Sequence, residues 1–235
     1  MNEIARYLVV VILAMTVILA AANVCRRYGP TASESEAETL LAQFADPDPQ
    51  VRANAQFKIM ARRAQLVPVL AKIVNGDNAI ARKEAAMALC TPKVPGRSAA
   101  LPGLIRMLRG DDLASQRVAI EALGSIGPDA AEAIPDLHKV LRAQQVSQTR
   151  LVSPCSYVPA ALRQILGRDS VPFLMEALCH PHTRMEVIDS LAELEADAAP
   201  ALDALERIHM NESGKTREYA ERTLKRIREA LAAGR

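Results

Sequence analysis

Residues 100–126 read ALPGLIRMLRGDDLASQRVAIEALGSI and predict two short amphipathic helices joined by a tight turn. Apolar residues of the first helix recur at helical spacing on one face: Leu101, Leu104, Ile105 and Leu108. Pro102 falls in the first turn, where its missing N–H costs no hydrogen bond, and Gly110 ends the helix. An aspartate of the turn is expected to cap the second helix, which Gly127 stops. One such hairpin leaves an apolar stripe uncovered, so it predicts neighbours of the same kind.

The start of the first helix recurs along the chain as an apolar residue, a proline, any residue and an apolar residue. The prolines of the five starts are 34, 33, 37 and 28 residues apart: Pro68, Pro102, Pro135, Pro172 and Pro200. The second helix recurs as Arg-x-x-small-x-x-x-apolar. Its copies are Arg52/Ala55/Ile59, Arg82/Ala85/Leu89, Arg184/Val187/Leu191 and Arg217/Ala220/Leu224, with Gln116/Ala119/Leu123 in the central unit. Both patterns together predict a tandem helical repeat.

At these residues the chain resembles the HEAT-like repeats, in the short bacterial form also found in phycobilisome lyases. The resemblance covers roughly residues 37–231 and is clearest over residues 66–131. It implies an all-α fold, an α-solenoid of five to six helical hairpins, whose usual work is holding proteins together. The motif therefore specifies the fold well and the function poorly.

Composition agrees with closely stacked helices. Half of the residues are apolar, but aromatic residues make up only 3% and tryptophan is absent, so Ala and Leu must fill the interior. The net charge of +2 is unevenly distributed. Residues 50–120 carry 12 Lys or Arg against 4 Asp or Glu, whereas residues 121–212 carry 7 against 14. The array is therefore expected to be basic towards its N-terminal end and acidic further along.

Residues 7–24 form an uncharged run of 18 residues. As a helix the run would be about 27 Å long, near the lower limit for crossing a hydrocarbon core of about 30 Å. Arg26 and Arg27 follow it as a plausible stop. Residues 1–27 are therefore expected to be a single-pass anchor in a bacterial inner membrane. The side of the membrane stays undetermined, because arginines flank both ends of the run.

Other interpretations of this run are open. It is long for a cleaved secretory signal, although Ala20-x-Ala22 would serve as a cleavage site. A buried soluble helix is a further alternative. A lipoprotein signal ending at Cys25 is disfavoured, because Val24 is not the small residue that such a signal needs before its cysteine. Residues 28–38 then form a polar, acidic linker, and residues 39–235 form the HEAT-like array.

The fourth unit breaks the repeat. An insertion, AQQVSQTRLVSPCSY at residues 143–157, separates its helices, and no arginine leads its second helix. Insertions of this kind project from one face of a solenoid, as tolerated surface loops or as part of a binding face. Residues 215–231 form a charged helix suited to capping the array.

Seven basic residues of the N-terminal half are candidates for a partner-binding face: Arg52, Arg62, Arg63, Arg82, Lys83, Lys93 and Arg97. Anionic lipid headgroups or nucleic acid would be their ligands. Several of the repeated arginines follow an acidic or polar turn, however. A structural role, in which the aspartates and arginines satisfy turn amides and neighbouring carbonyls, therefore competes with ligand binding.

The sequence predicts no catalytic, cofactor or metal site. Cys179-His180-Pro181-His182, with Glu186 nearby, has ligand-type residues, but a zinc site needs four ligands at recognisable spacing. The sequence contains no Gly-rich phosphate loop, nucleophile elbow or haem-attachment motif. Resemblance to HEAT-like DNA glycosylases is not supported either, because stacking on a base favours aromatic platforms and this chain has 4 Tyr, 3 Phe and no Trp.

These observations predict a non-enzymatic, membrane-tethered scaffold that binds another protein along its concave surface and needs no cofactor. One alternative is binding of anionic lipid or nucleic acid through the basic half. Another is an exported, signal-cleaved protein or a subunit of an enzyme complex, which would use residues 179–186 or 143–157.

Overall fold

The computed structural model describes residues 39–40, 42–43, 46–61, 63–90, 96–143 and 153–234. Regular structure in these ranges is helical throughout, with α-helices and 3-10 helices and no strand, so the predicted all-α class is confirmed for them. The predicted anchor at residues 7–24 and the linker at residues 28–38 lie outside these ranges. None of the helices within them has the length and apolar character needed to cross a membrane.

The chain divides into two compact units, Met1–Leu66 and Val67–Arg235. In the first unit, helix α1 (Pro49–Ala61) follows a turn built from aspartates. The N–H of Asp48 donates to Asp46 Oδ1 and the N–H of Gln50 donates to Asp48 Oδ1, both at 2.8 Å. These two bonds order the turn that leads into α1.

The remaining helices alternate as the first and second helices of successive hairpins. The first helices are α2 (Arg63–Asn75), α4 (Leu101–Arg109), α6 (Ile134–Ala143), α8 (Val171–Ala177) and α10 (Leu202–Asn211). The second helices are α3 (Ala79–Leu89), α5 (Leu113–Ile126), α7 (Val158–Leu166), α9 (Arg184–Glu193) and α11 (Gly214–Ala233). Each second helix packs on the next, α3 on α5, α5 on α7, α7 on α9 and α9 on α11. This neighbour-to-neighbour packing is that of an α-solenoid.

Short 3-10 turns precede four of the first helices, a feature that the sequence did not predict: Arg97–Ala100, Gly127–Ala133, Gly167–Ser170 and Glu195–Ala201. Pro102, Pro135 and Pro172 are the second residues of their helices, as their positions in the pattern predict. Pro68 instead lies inside α2, and Pro200 lies in the turn before α10. The repeat is therefore regular in its packing and variable in how each first helix begins.

The core consists of the positions that the second-helix pattern predicts. The small and larger apolar residues of α3, α5, α9 and α11 are all buried: Ala85, Leu89, Ala119, Leu123, Val187, Leu191, Ala220 and Leu224. Helix α7 supplies the same pair, because Val158 and Leu162 are fully buried at the same spacing. Cys155, three residues before Val158, stands where the other units have Arg or Gln. The fourth unit therefore keeps the packing of the repeat and lacks the Arg or Gln that leads the second helix in the other units.

The polar residue that leads the second helix closes the turn of its own hairpin in four units. In these units its side chain donates to a main-chain carbonyl six residues earlier, whereas Arg217, which leads α11, is exposed. The contacts are Arg52 Nη1 to Asp46 O (2.7 Å), Arg82 Nη2 to Gly76 O (2.8 Å), Gln116 Nε2 to Gly110 O (2.6 Å) and Arg184 Nε to Leu178 O (2.9 Å). We call this contact the turn clamp. It gives Arg52, Arg82 and Arg184 a structural role.

Replacing Arg82 with alanine is expected to lower the free energy of unfolding by about 1.5 kcal/mol, because hydrogen bonds from a charged donor to Gly76 O are lost. The measurement is urea unfolding of the full chain, followed by circular dichroism. Lys83→Ala is the matched control, since it removes the same charge from a half-buried neighbour on the same helix. Equal losses in the two variants would contradict the turn clamp.

Ion pairs join successive first helices. Asp136 at the start of α6 is 5% exposed and accepts hydrogen bonds from Arg109 Nη2 of α4 (2.7 Å) and from Lys139 Nζ (3.1 Å). The hydrogen bond from Arg109, supported by Lys139, holds the pKa of the Asp136 carboxyl below its ordinary value, although burial opposes this shift. In the next hairpin, Arg142 of α6 bonds Glu176 of α8.

Stability is therefore expected to fall in acid as Asp136 takes up a proton. A depressed pKa in the folded state gives stability that is present above the ordinary value, about pH 4, and lost as the pH falls through the folded value. Asp136→Asn should be less stable than the wild type at pH 7 and should show a flatter decline below pH 4. Urea midpoints between pH 7 and pH 2 measure this, with the exposed Asp111→Asn as control. Parallel curves for wild type and Asp136→Asn would overturn the assignment.

Candidate protein-binding surface

The second helices of the first three hairpins expose large apolar side chains. Ile80 and Met87 of α3 are 53% and 38% exposed and stand seven residues apart, which places them on one face of the helix. Leu113 at the start of α5 is 47% exposed, and Tyr157, just before α7, is 37% exposed. Helices α3, α5 and α7 pack in this order, and we call the solvent-accessible residues of α3, of α5 and of the turn before α7 the second-helix surface. Large exposed apolar areas are a mark of interaction sites.

A cleft of about 510 Å³ lies between the end of α3, helix α5 and helix α7, and Tyr157 is the one of these four residues that lines it. Its apolar lining comes mainly from small residues: Gly124 of α5 and Ala160 and Ala161 of α7, beside Ile120. A Cβ atom at Gly124 would lie only 3.0 Å from Ala161 Cα, so α5 and α7 approach each other closely through this glycine. The cleft has the volume of an ordinary ligand pocket.

Polar groups stand at the rim of the cleft. The Arg117 guanidinium carbon lies 5.6 Å from the centre of the Tyr157 ring, in a cation–π contact. Arg117 Nη1 also lies 3.4 Å from Glu121 Oε1. The Gln164 side chain projects over the lining, since its Oε1 would be 2.5 Å from a Cβ atom at Gly124. The rim therefore offers an aromatic ring held in place by a cation, with carboxylate and amide oxygens as acceptors.

Cys90 forms part of the cleft wall and behaves as an apolar residue. Its thiol donates to Ala86 O at 3.4 Å. Burial, followed by the nearby Glu121 carboxylate, raises the pKa of Cys90 to about 12. The thiol is therefore protonated at neutral pH and does not supply the thiolate that nucleophilic chemistry requires.

The sequence-predicted basic residues are not gathered in this cleft. Arg52 and Arg82 form turn clamps. Arg97 is 7% exposed and donates to Leu89 O, Ser125 Oγ and Ser125 O at 3.2, 3.0 and 2.6 Å. Lys83 lies between Ile80 and Met87 in the sequence of α3, within one turn of each, and so belongs to the second-helix surface.

Three more of these basic residues complete the set. Arg62 and Lys93 lie outside the described residues, and Arg63 begins α2. The role of the seven residues as a partner-binding face stays a prediction. Arg52, Arg82 and Arg97 combine their charges with internal hydrogen bonds to main-chain oxygens.

The Cys179 turn has a simple structural arrangement. Cys179 Sγ donates to Glu176 O at 2.9 Å and lies 3.5 Å from both ring nitrogens of His180. Arg184 bonds the Cys179 carbonyl oxygen at 3.3 Å. Within the part of the chain that the structure describes, no three His, Cys, Asp or Glu residues are placed to hold a metal ion.

The cleft was not predicted from the sequence, although the insertion at residues 143–157, one reading of which is a binding face, ends at Tyr157 on its rim. A second signal was Gly124, inside the predicted second helix, where glycine weakens a helix unless another backbone comes close. The matching small residues, Ala160 and Ala161, follow the insertion, and their proximity to Gly124 depends on how α7 stacks. The basic residues predicted as a binding face are therefore a different set from the residues that line the cleft.

Comparisons with known proteins show what the repeat is similar to. Residues 66–153 match the family model of HEAT repeats. An engineered protein of known structure superimposes with a TM-score of 0.52 at 18% identity, over 83% of this chain and 97% of that one. A designed armadillo repeat protein gives a TM-score of 0.50 at 16% identity, over 80% and 98% of the two chains. No curated protein matches the chain.

A second designed armadillo repeat protein, in complex with the peptide (KR)4, gives a TM-score of 0.50 at 16% identity, over 82% of this chain and 99% of that one. Identities this low establish similarity of fold alone. The expected resemblance to HEAT-like repeats is confirmed, whereas the short bacterial form stays a prediction.

Proposed function

We propose that this chain of HEAT-like repeats is a scaffold that binds another protein through its second-helix surface. The observation that carries the proposal is the set of exposed apolar residues on α3, on α5 and in the turn before α7, with a cleft beside Tyr157. Solenoid repeats commonly present such extended surfaces to protein partners. The designed armadillo repeat protein in complex with a peptide supports the general use of this architecture for peptide binding. Catalysis has no part in this proposal.

The residue types on the second-helix surface also support its use as a protein interface. Arginine and tyrosine are enriched among the residues that dominate binding energy, and they are most effective when held in one conformation before binding. The contact between Arg117 and Tyr157 provides this order. The surrounding charges are mixed, with Lys83 and Glu84 on α3 and Glu121 on α5, as is usual for the polar rim of an interface.

The test is site-specific photo-cross-linking in native cells, with the full chain. A benzophenone amino acid replaces Met87 or Leu113 on the second-helix surface, or Met175 on first helix α8. Met87 and Met175 are matched in residue type and exposure, at 38% and 37%. Residues 87 and 113 should yield the same protein adduct, identified by mass spectrometry, and residue 175 should not. Adducts of equal yield from all three positions, or from residue 175 alone, would contradict the proposal.

A membrane tether at residues 7–24 is a separate proposal, which rests on the sequence. The uncharged run and the arginines after it support a single-pass anchor in a bacterial inner membrane. Alkaline extraction of native membranes should leave the full chain in the pellet, and its intact mass should retain residues 1–27. Recovery in the supernatant with an N-terminus near residue 23 would instead establish a cleaved signal. Reporters active on opposite sides of the membrane, fused to the C-terminus, determine the side.

A further inference from the structure

The first helices α2, α4 and α6 present basic side chains at equivalent positions. In each helix the fourth and the seventh residue after the proline of the repeat pattern are exposed. Residues at this spacing lie on one face of a helix. All of these side chains except Asn75 are cationic, and we call the cationic set the first-helix face: Lys72, Arg106, Arg109, Lys139 and Arg142.

Positive charge is in excess on this face because the same three helices contain a single acidic residue. That residue is Asp136 at the start of α6, and it is buried. Arg109 and Lys139 both bond to its carboxylate, at 2.7 and 3.1 Å, yet their side chains remain 65% and 76% exposed. The second helices α3 and α5, in contrast, carry Glu84 and Glu121 among their basic residues.

The cations of this face lie on helices that contact one another. Arg106 Nη2 donates to Asn75 O at the end of α2 (2.7 Å), and the carboxylate bond of Arg109 joins α4 to α6. Arg142 pairs with Glu176 of α8, a helix without a basic residue, so the face ends at α6. Lysine and arginine have more N–H donors than these bonds use. The first-helix face is therefore one continuous surface that can bind further anionic groups.

We propose that the first-helix face docks on the anionic headgroups of a lipid bilayer. Clusters of Lys and Arg beside a membrane anchor are attracted to the negative surface potential of anionic lipids. Phosphate groups cover such a surface, so docking requires positive charge on one side of the array and no pocket of complementary shape. This proposal rests on the proposed tether at residues 7–24. Residues 25–38 can extend to about 50 Å at most, which keeps the array within reach of the bilayer.

Nucleic acid is the other abundant polyanion that such cations could meet. The remaining exposed residues of the pattern on this face are prolines: Pro68, Pro102 and Pro135. Single-stranded nucleic acid is bound through aromatic side chains on which its bases stack, and prolines do not supply them. A tether also holds the bilayer at a high effective concentration, which a free polyanion lacks. Both arguments favour the lipid surface.

The test uses the absence of tryptophan from the chain, because emission then comes only from an introduced reporter. Pro102→Trp places the reporter at an exposed position one turn before Arg106, and Met87→Trp places it on the second-helix surface. Each full-length variant is reconstituted into vesicles of phosphatidylcholine, with or without phosphatidylglycerol. All vesicles contain a lipid whose headgroup carries a nitroxide, which quenches tryptophan close to the surface. With phosphatidylglycerol at low salt, Pro102→Trp should be quenched at least twice as strongly as Met87→Trp. The difference should disappear at high salt.

Charge variants that carry the reporter on α4 locate the contact. Lys72→Glu combined with Lys139→Gln makes the face less positive and leaves the arginine of α4 bonded to Asp136. This variant should lose at least half of the additional quenching that phosphatidylglycerol produces. Lys215→Glu combined with Lys225→Gln is the matched control, because it makes the same change of charge at exposed positions on α11. The control should be quenched as strongly as the unaltered reporter protein.

Equal quenching of the two reporters in phosphatidylglycerol vesicles at low salt would overturn the lipid-docking face, as would equal losses in the two charge variants. Failure of the tether is a separate result, in which the full chain does not float with phosphatidylcholine vesicles at high salt. Salt-sensitive flotation with phosphatidylglycerol vesicles alone would then retain the face without the anchor. Gel shifts with duplex DNA test the other polyanion. DNA binding that Lys72→Glu with Lys139→Gln abolishes, without a quenching difference in vesicles, would assign the face to nucleic acid and reject lipid docking.

Discussion

Replacing Gly103 with alanine is expected to lower the free energy of unfolding by about 3 kcal/mol. A Cβ atom at this position would lie 2.3 Å from Val74 O and 2.6 Å from Val74 C, which are main-chain atoms near the end of α2. Main-chain atoms cannot move aside as the end of a flexible side chain does, so α4 must move away from α2. That movement strains two further contacts, Gly103 N–H to Asn75 Oδ1 (2.7 Å) and Arg106 Nη2 to Asn75 O (2.7 Å).

The sign of the change in unfolding free energy distinguishes helix propensity from helix packing. Alanine in place of glycine within a helix normally stabilises it by about 1 kcal/mol, so a loss shows that the close approach of α2 and α4 dominates. Gly110→Ala is the control, because φ there is −76° and the nearest atom to an added Cβ is Met107 O at 3.4 Å. It should stay within about 0.5 kcal/mol of the wild type. Urea unfolding measures both. A Gly103→Ala protein as stable as the wild type would mean that the two first helices lie further apart.

Leu123→Ala is expected to cost about 3 to 4 kcal/mol. Leu123 is fully buried in the middle of α5, and α5 packs against α3, α4 and α7. Removal of its side chain leaves a cavity where three neighbouring helices meet, and close-packed interiors relax only partly around such a cavity. Because each hairpin depends on its neighbours, the loss should extend to α3 and α7.

Leu113→Ala provides the comparison within the same helix. Leu113 is 47% exposed, so its truncation should change stability by no more than about 0.5 kcal/mol. Hydrogen exchange shows which helices are weakened. Leu123→Ala should speed the exchange of the buried amides of α3, α5 and α7. Similar losses in the two leucine variants, or faster exchange confined to α5, would contradict the neighbour-dependent packing.

The hairpins were predictable because their signals are local. A proline two residues into a helix, a glycine after it and a small-to-large apolar pair four residues apart each act within one or two turns. For that reason α4 and α5 end at Arg109 and Ile126, as residues 100–126 indicate. The role of the Arg or Gln that begins the second-helix pattern could also be predicted, because an arginine after a polar turn has few other partners for its donors.

Departures from the pattern arise where tertiary contacts replace a local signal. Helix α7 has neither a lead arginine nor regular spacing from α6, yet Val158 and Leu162 occupy the core because α5 and α9 pack against α7. Glu195 adopts φ of 50° in a turn where the preceding hairpin has Gly167 at 57°, and nothing in its residue type indicates this. The cleft was beyond prediction for a related reason. Its lining is distributed over residues 90–164 and forms only after α3, α5 and α7 have stacked.

The fourth unit differs from its neighbours in what holds its second helix in place. Cys155 has no guanidinium or amide to reach back six residues. Turn clamps fasten the hairpins of α3, α5 and α9, whereas α7 depends on Val158 and Leu162, which are fully buried. The docking of α7 is therefore more sensitive than that of its neighbours to a change in these two side chains.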